Sequence, residues 1–176
     1  MKKRKQRYWI YFLIVIAIAS CISYEKTYKS SRYLKIAPHW TLEDLNGESH
    51  ASSEFRDKVL LINFWETRCI PCKTEIPLLL ELKKKFSDKE FQIIGIALED
   101  SDPGIIHAFA QGFNITDPIL IGNADVVAMF GDFKEIPTSF LIDKKGNIIK
   151  YFKGPIPTDI IETEIKNLIT THENKN

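Results

Sequence analysis

Cysteine is scarce in this chain, with three among 176 residues. A small fold stapled by several disulfides needs far denser cysteine, so that class is excluded. Histidine is equally thin. His39, His50, His107 and His172 are scattered without the short spacings of a zinc site, and no metal centre is expected. No internal repeat and no low-complexity tract is present. Excess charge is nearly absent overall, at a net +1, yet its distribution is uneven. Residues 1–33 hold eight Lys and Arg against one Glu, a net +7, which leaves residues 34–176 at −6. Nucleic-acid binding needs basic side chains clustered on a folded face; here the body is the acidic part, so no nucleic-acid partner is expected. Against these absences stand 44% hydrophobic residues, ample for a core. The length suits one domain with an extension.

The extension is N-terminal. Lys2, Lys3, Arg4, Lys5 and Arg7 make residues 1–7 a basic n-region, and residues 8–19 are an unbroken apolar and aromatic run of twelve. This is the pattern of a secretory signal or a short anchor. Twelve helical residues rise about 18 Å, and the longer stretch 8–24 rises about 25 Å, the lower limit for crossing a bilayer. Ile18-Ala19-Ser20-Cys21 also resembles a bacterial lipobox, in which Cys21 is lipidated. An uncleaved anchor, a lipoprotein and a cleaved signal stand as three alternatives. Each carries the body out of the cytoplasm and leaves the basic flank inside. Residues 25–35 read as a tether, 36–172 as the folded domain and 173–176 as a tail. The lipid bilayer is the partner expected of the N-terminus. On the outer side a thiol pair faces an oxidising setting and needs an electron source to act as a reductant.

Two of the three cysteines form Cys69-Ile70-Pro71-Cys72, just after the apolar run Val59-Leu60-Leu61-Ile62-Asn63-Phe64-Trp65. A strand that delivers two thiols to the mouth of a helix is a redox device. The helix N-terminus favours thiolate over thiol, and thiolate is the species that attacks disulfides. A structural disulfide and half a zinc site are the competing readings of the same spacing. Cys69, first on the helix, is assigned as the attacking thiol, and Cys72, further along it, as the resolving thiol. Glu75 follows Cys72 by three residues on the same face. It is the candidate acceptor for the proton that Cys72 must lose, with a solvated helix carboxylate as the alternative. Dithiol chemistry needs no cofactor, and none is expected.

Along the body, residues 40–47 read as a short strand and an Asn46-Gly47 turn, a hairpin signal. Residues 58–65 form a buried strand and 69–86 a helix, with Ile76, Leu79, Leu80, Lys83 and Phe86 tracing its inner face. Pro77 lies in the interior of that helix, where proline kinks the chain. A second buried strand is expected over 91–98, and a helix over 102–111 stopped by Gly112. Glu99-Asp100-Ser101-Asp102 follows a strand end, where α/β sheets bind ligands, but an N-cap at Ser101 or Asp102 is the favoured reading. A short strand at 119–121, a short helix at 124–130 and a hairpin of 139–142 with 148–152 come next. A closing helix over 158–169 carries Ile160, Ile161, Ile165, Leu168 and Ile169. Alternating strands and helices that end in a hairpin give a mixed α/β sheet with helices on both faces.

Three segments resemble the TlpA/ResA branch of the thioredoxin-like proteins. They are Ala37-Pro38-His39-Trp40-Thr41-Leu42, the run from Lys58 through Cys69, Cys72, Glu75 and Pro77, and Gly131 through Ile136-Pro137-Thr138 to Gly146. The likeness covers roughly residues 36–170. It implies a thioredoxin-like fold: a central mixed sheet flanked by helices, with an N-terminal β-hairpin and an inserted αβ element. It further implies a membrane-tethered thiol-disulfide oxidoreductase of the AhpC/TSA-redoxin superfamily. The family reading makes Pro137 cis and facing the thiols, with Ile136 offering backbone groups to an extended substrate and Trp65 packed beside the site. Two positions depart from the family: Arg68 replaces the usual Trp, and Glu66 the common Ala. Arg68 therefore offers a cation to an acidic partner and to the Cys69 thiolate, where relatives offer a flat aromatic surface.

The implied activity is reduction of exported cysteine-containing proteins, apocytochrome c foremost, on the periplasmic side of a bacterial cytoplasmic membrane. A membrane thiol electron donor of the DsbD/CcdA type would supply the electrons. A disulfide-donating oxidase is the alternative enzyme. Peroxidase chemistry is disfavoured, because peroxiredoxins place Thr three residues before the reactive Cys and Glu66 stands there. A thiol-based metal-delivery module is the non-enzymatic alternative, and two thiolates alone leave a zinc site half filled.

Overall fold

A computed structural model describes residues 36–86, 90–99 and 102–173. The basic n-region, the apolar segment with Cys21, the tether and Ser101 lie outside the described residues. Among the described residues, no helix is long and apolar enough to cross a membrane.

The chain opens with a small antiparallel hairpin, β1 (Thr41–Glu43) and β2 (Ser49–Ala51), in register Thr41 to Ala51. Its loop is wider than a two-residue turn. The Asp44 carboxylate accepts from the amides of Asn46 (2.8 Å) and Glu48 (2.9 Å), and Gly47 takes φ 82°. The main sheet follows: β3 (Val59–Trp65), β4 (Phe91–Ala97), β5 (Ile119–Ile121), β6 (Thr138–Ile142) and β7 (Ile148–Lys153), in the order β5-β4-β3-β6-β7. Strands β3, β4 and β5 run parallel; β6 and β7 are antiparallel to their neighbours. Strand β3 is central and buried along its whole length, as suits a run that is apolar but for Asn63.

Successive β3 side chains point to opposite faces. Leu60, Ile62 and Phe64 enter one core with Trp40, Phe130 and Phe140. Val59 and Leu61 enter the other, with Leu82 and Phe86 of helix α1 (Ile70–Phe86) and Ile161, Ile165 and Ile169 of helix α4 (Thr158–Glu173). A third cluster sits at the sheet's C-terminal end, where Trp65 and Cys72 meet Ile106 and Ala110 of helix α2 (Pro103–Gly112).

Three helix details differ from the sequence reading. The inner face of α1 runs through Cys72, Glu75, Ile76, Leu82 and Phe86. Leu82 is fully buried, while Leu79, Leu80 and Lys83 are only half-buried. Two residues that look polar by type, Cys72 and Glu75, set the rotation of that face. Helix α2 is capped by Asp102, whose carboxylate accepts from the Gly104 amide at 2.8 Å, and it runs through Gly112 instead of stopping there. The left-handed position belongs to Asn114 (φ 56°), with Ile115 N donating to Ala110 O at 2.9 Å, a Schellman closure built on Asn. Helix α4 continues to Glu173, one turn beyond the expected end. The short helix α3 (Ala124–Met129) is capped by Asn123, which accepts from Val126 N at 2.9 Å.

Candidate active site

The loop between β3 and α1 is held from below. Leu98 N donates to Trp65 O at 3.0 Å. Thr67, buried, then donates twice to the Glu99 carboxylate, from its amide to Oε1 (2.8 Å) and from its hydroxyl to Oε2 (2.6 Å). Parallel pairing of β3 with β4 puts these two strand ends side by side, Trp65 opposite Ala97. Glu99 thus faces inward as a clamp on the segment that presents Cys69. Sequence reading placed Glu99 at a strand end but did not join it to Thr67; the available signal was an acid directly beyond the parallel neighbour's strand.

Cys69 and Cys72 are joined by a disulfide with their Cα atoms 5.2 Å apart. Cys69 is half-buried, whereas Cys72 is 4% exposed. The Cys72 amide, in the first turn of α1, donates to Cys69 Sγ at 3.1 Å. A donor aimed at the sulfur and the positive end of a helix both favour negative charge there. Around the pair, Arg68, Ile70 and Pro71 are exposed, and Ile70 is the most exposed large apolar residue among those described, at 73%.

Glu75 is buried at 4% exposure, which removes the reading of a solvated carboxylate. Its Oε2 accepts from Asn63 Nδ2 at 2.9 Å, and its Oε1 from the Ile156 amide at 2.6 Å. Asn63 Nδ2 also donates to Ser139 Oγ at 2.8 Å. The carboxylate therefore ties α1 to β3 and to the chain entering α4, and Asn63 carries the link on to β6. Burial raises the Glu75 pKa above its ordinary value of 4.5, against the opposing pull of the Ile156 and Asn63 donors.

The Ile136–Pro137 peptide is cis and stands at the start of β6, where Gly154 N donates to Pro137 O at 2.9 Å. Ile136 and Cys69 pack against the same apolar cluster as Cys72 and Trp65, so the loop before β6 and the dithiol meet over one patch. Trp65 itself is buried at 6% exposure, stacked on Phe109 with ring centroids 5.1 Å apart. It supports the site from inside. Its indole crosses β4 at Gly95, where an added Cβ would lie 2.9 Å from Nε1.

Among the described residues, one group has metal-ligand chemistry: Asp44, Glu48 and His50 on the hairpin, with ligand atoms within 4.8 Å of one another. Asp44 Oδ1 there already accepts from the two turn amides and Oδ2 from Asn46 Nδ2, and His50 Nδ1 sits 2.9 Å from Glu54 Oε2.

Known proteins resemble this chain in sequence and in fold. The Redoxin family profile matches residues 34–169. The thiol-disulfide oxidoreductase ResA of Geobacillus kaustophilus is 30% identical over 175 residues, covering 94% of this chain and 98% of that one. The ResA of Bacillus subtilis is 30% identical over 137 residues, 78% of this chain and 75% of that one. A crystal structure of a thiol:disulfide interchange protein of the thioredoxin family from Chlorobium tepidum superposes with a TM-score of 0.69 at 25% identity, covering 80% of this chain and 99% of that chain. With its sulfur pair seated at a helix mouth on a thioredoxin-like sheet, the chain belongs to the redoxin family and is a thiol-disulfide oxidoreductase of the ResA type.

Proposed function

We propose that this oxidoreductase works as a reductant of exported cysteine-containing proteins, with apocytochrome c as the leading substrate. In this reading the N-terminal segment holds it to the bacterial cytoplasmic membrane, with the catalytic domain on the outer, periplasmic side. The observation that carries the reading is the half-buried Cys69 sulfur supported by the Cys72 amide at 3.1 Å. The membrane placement rests on the basic and apolar residues 1–24.

The cycle starts from the dithiol. Cys69 thiolate attacks one sulfur of the substrate disulfide, the substrate S–S bond breaks, and the second substrate sulfur leaves with the electron pair and takes a proton. Cys72 then loses its proton and attacks Cys69 Sγ. The mixed disulfide breaks, the remaining substrate sulfur leaves, and the Cys69–Cys72 disulfide is formed. Two electrons and two protons have passed to the substrate, and a membrane thiol donor of the DsbD/CcdA type restores the dithiol. Glu75, buried three residues beyond Cys72, is the general base of this reading. Ile136 and Pro137 offer backbone to the substrate segment, Arg68 offers a cation, and Trp65 backs the pair.

The test is capture in the native membrane. Cys72→Ser stalls the cycle at the mixed disulfide, and the trapped partner should be an exported thiol protein. Capture of no partner would overturn the reading. The direction is settled by the reduction potential: a value near about −270 mV supports a reductant, and one near about −120 mV makes the protein an oxidase.

A further inference from the structure

The chain enters the domain at the end opposite the dithiol. Ala37 N donates to Gly146 O at 2.8 Å, and Ile36 bridges Asn147, so the entry point lies against the turn that joins β6 to β7. That turn follows Ile142, which pairs with Leu60 near the start of β3. Cys69 and Cys72 lie beyond the other end of β3. From Val59 to Trp65 the strand rises about 20 Å. At the entry end an open cleft of about 360 Å³ is lined by Ile36 and by the cations Arg56, Lys58, Lys144 and Lys145, among others. The dithiol chemistry makes no use of it.

The charge here runs against that of the body. Residues 34–176 carry a net −6, yet the four cations of the cleft stand against two acids, Asp57 and Asp143. The Asp143 carboxylate is taken up inside the turn, where it accepts from the amides of Lys145 (2.9 Å) and Asn147 (2.8 Å). Lys144 is ion-paired with Glu90. Arg56, Lys58 and Lys145 are exposed and have no ion pair among the described residues. Asp57, exposed between Arg56 and Lys58, offsets one of them. Lys84, exposed near the end of α1, comes to the same end of the sheet, since Phe86 meets Phe91 at the start of β4 with ring centroids 5.9 Å apart. Ile36 at the entry point is 64% exposed. Exposed cations around an apolar side chain fit an anionic lipid surface, which favours contact about fivefold for each Lys or Arg near it.

We propose that this end of the domain docks on the anionic phospholipid headgroups of the membrane that anchors the chain, with Arg56, Lys58 and Lys145 as the main contacts. This rests on the reading of residues 1–24 as the membrane segment. Residues 25–35 span at most about 40 Å, so the entry end cannot stand far from the bilayer. The attraction decays over a Debye length of about 8 Å at physiological ionic strength. It therefore acts on the entry end and not on the dithiol, which lies about 20 Å further along β3. Docking holds the sulfur pair on the side away from the bilayer, open to proteins arriving from outside.

Hydrogen exchange of the full chain, reconstituted into vesicles and read by mass spectrometry, tests this. Vesicles of phosphatidylcholine alone are compared with vesicles in which about a third of the lipid is phosphatidylglycerol. In the anionic vesicles the amides of residues 55–58 and 144–148 should exchange at least about threefold more slowly, while those of residues 66–72 keep their rates. High salt should erase the difference. Arg56→Glu, Lys58→Glu and Lys145→Glu together should also erase it and leave the reaction of the dithiol with Ellman's reagent unchanged. If the triple variant fails to fold, Arg56→Glu with Lys145→Glu carries the test. Equal exchange in the two vesicles, slowing confined to the dithiol end, or slowing that the charge reversals leave intact overturns the docking while the membrane anchor stands. A chain that associates with neither vesicle overturns the membrane reading itself.

Discussion

The backbone amide of Cys72 points at the sulfur of Cys69 across 3.1 Å. Pro71 between them has no N–H to offer, so the donor nearest the sulfur comes from the resolving residue itself. This contact, the helix N-terminus and the greater exposure of Cys69 all act in one direction. In the reduced protein Cys69 should alkylate with iodoacetamide at least about tenfold faster than Cys72 at neutral pH, with a midpoint below the ordinary cysteine value of about 8.5. Mass spectrometry of the two cysteines across pH checks this, and equal rates would remove the assignment of Cys69 as the attacking thiol.

Glu75 supplies a pH dependence with a definite sign. Its folded pKa lies above its ordinary value of 4.5, with burial as the main cause. The neutral form is thus favoured by folding. The stability it contributes is fully present below the unfolded value and is lost as pH rises through the folded one. Urea denaturation from about pH 4 upward should show wild-type stability falling over that window, and Glu75→Gln should flatten the fall. The same variant keeps an acceptor for the Ile156 amide but turns an NH2 toward Asn63, so Asn63 must reorient its amide. An unchanged slope would mean that Glu75 is ionised at no cost in the folded state.

Much of this was legible in the chain because the signals were local. The β3 run, the cysteine pair at the start of α1 and the turn at Asp143 to Asn147 each declare themselves within a dozen residues. What stayed hidden depends on distant partners. The Glu75–Ile156 bond spans 81 residues and the Thr67–Glu99 bond 32, and neither follows from periodicity. Asp117, followed by Pro118, reads as an ordinary turn residue until α1 is seen to bring Lys83 against it. On the inner face of α1, Ile76 and Phe86 follow the sequence pattern, but Leu82 takes the place expected of Lys83, and Glu75, which ranks below Leu79 and Leu80 on any hydrophobic scale, is packed inside.

The Thr67–Glu99 clamp makes a separate prediction. Two hydrogen bonds to one carboxylate hold the segment just before Cys69, and bonds to a charged group contribute about 1.5–3 kcal/mol each when lost from a buried site. Glu99→Ala, which loses both bonds, should cost roughly 3 kcal/mol or more in chemical denaturation, and Thr67→Ala, which keeps the amide and loses only the hydroxyl bond, about half as much. The double variant should lose no more than Glu99→Ala alone, since that change already breaks the one bond that Thr67→Ala removes. Simple additivity would show that the two side chains do not act on each other.

Gly95 tests the packing under the site. An added Cβ there would stand 2.9 Å from Trp65 Nε1, closer than real Cβ contacts allow. The indole has little room to retreat, because it is buried and stacked on Phe109 at 5.1 Å. Gly95→Ala should therefore destabilise the fold by about 1–3 kcal/mol, the range of overpacked cores. Trp65 and Cys72 share one apolar cluster, so the displaced ring should also disturb the resolving thiol. Trp65 fluorescence, read in a background with Trp9 and Trp40 replaced by Phe, should shift in the variant, and the release step that depends on Cys72 should slow. Full stability with unshifted emission would show that β4 yields at Gly95 and that the Trp65 ring is not the rigid floor of the dithiol.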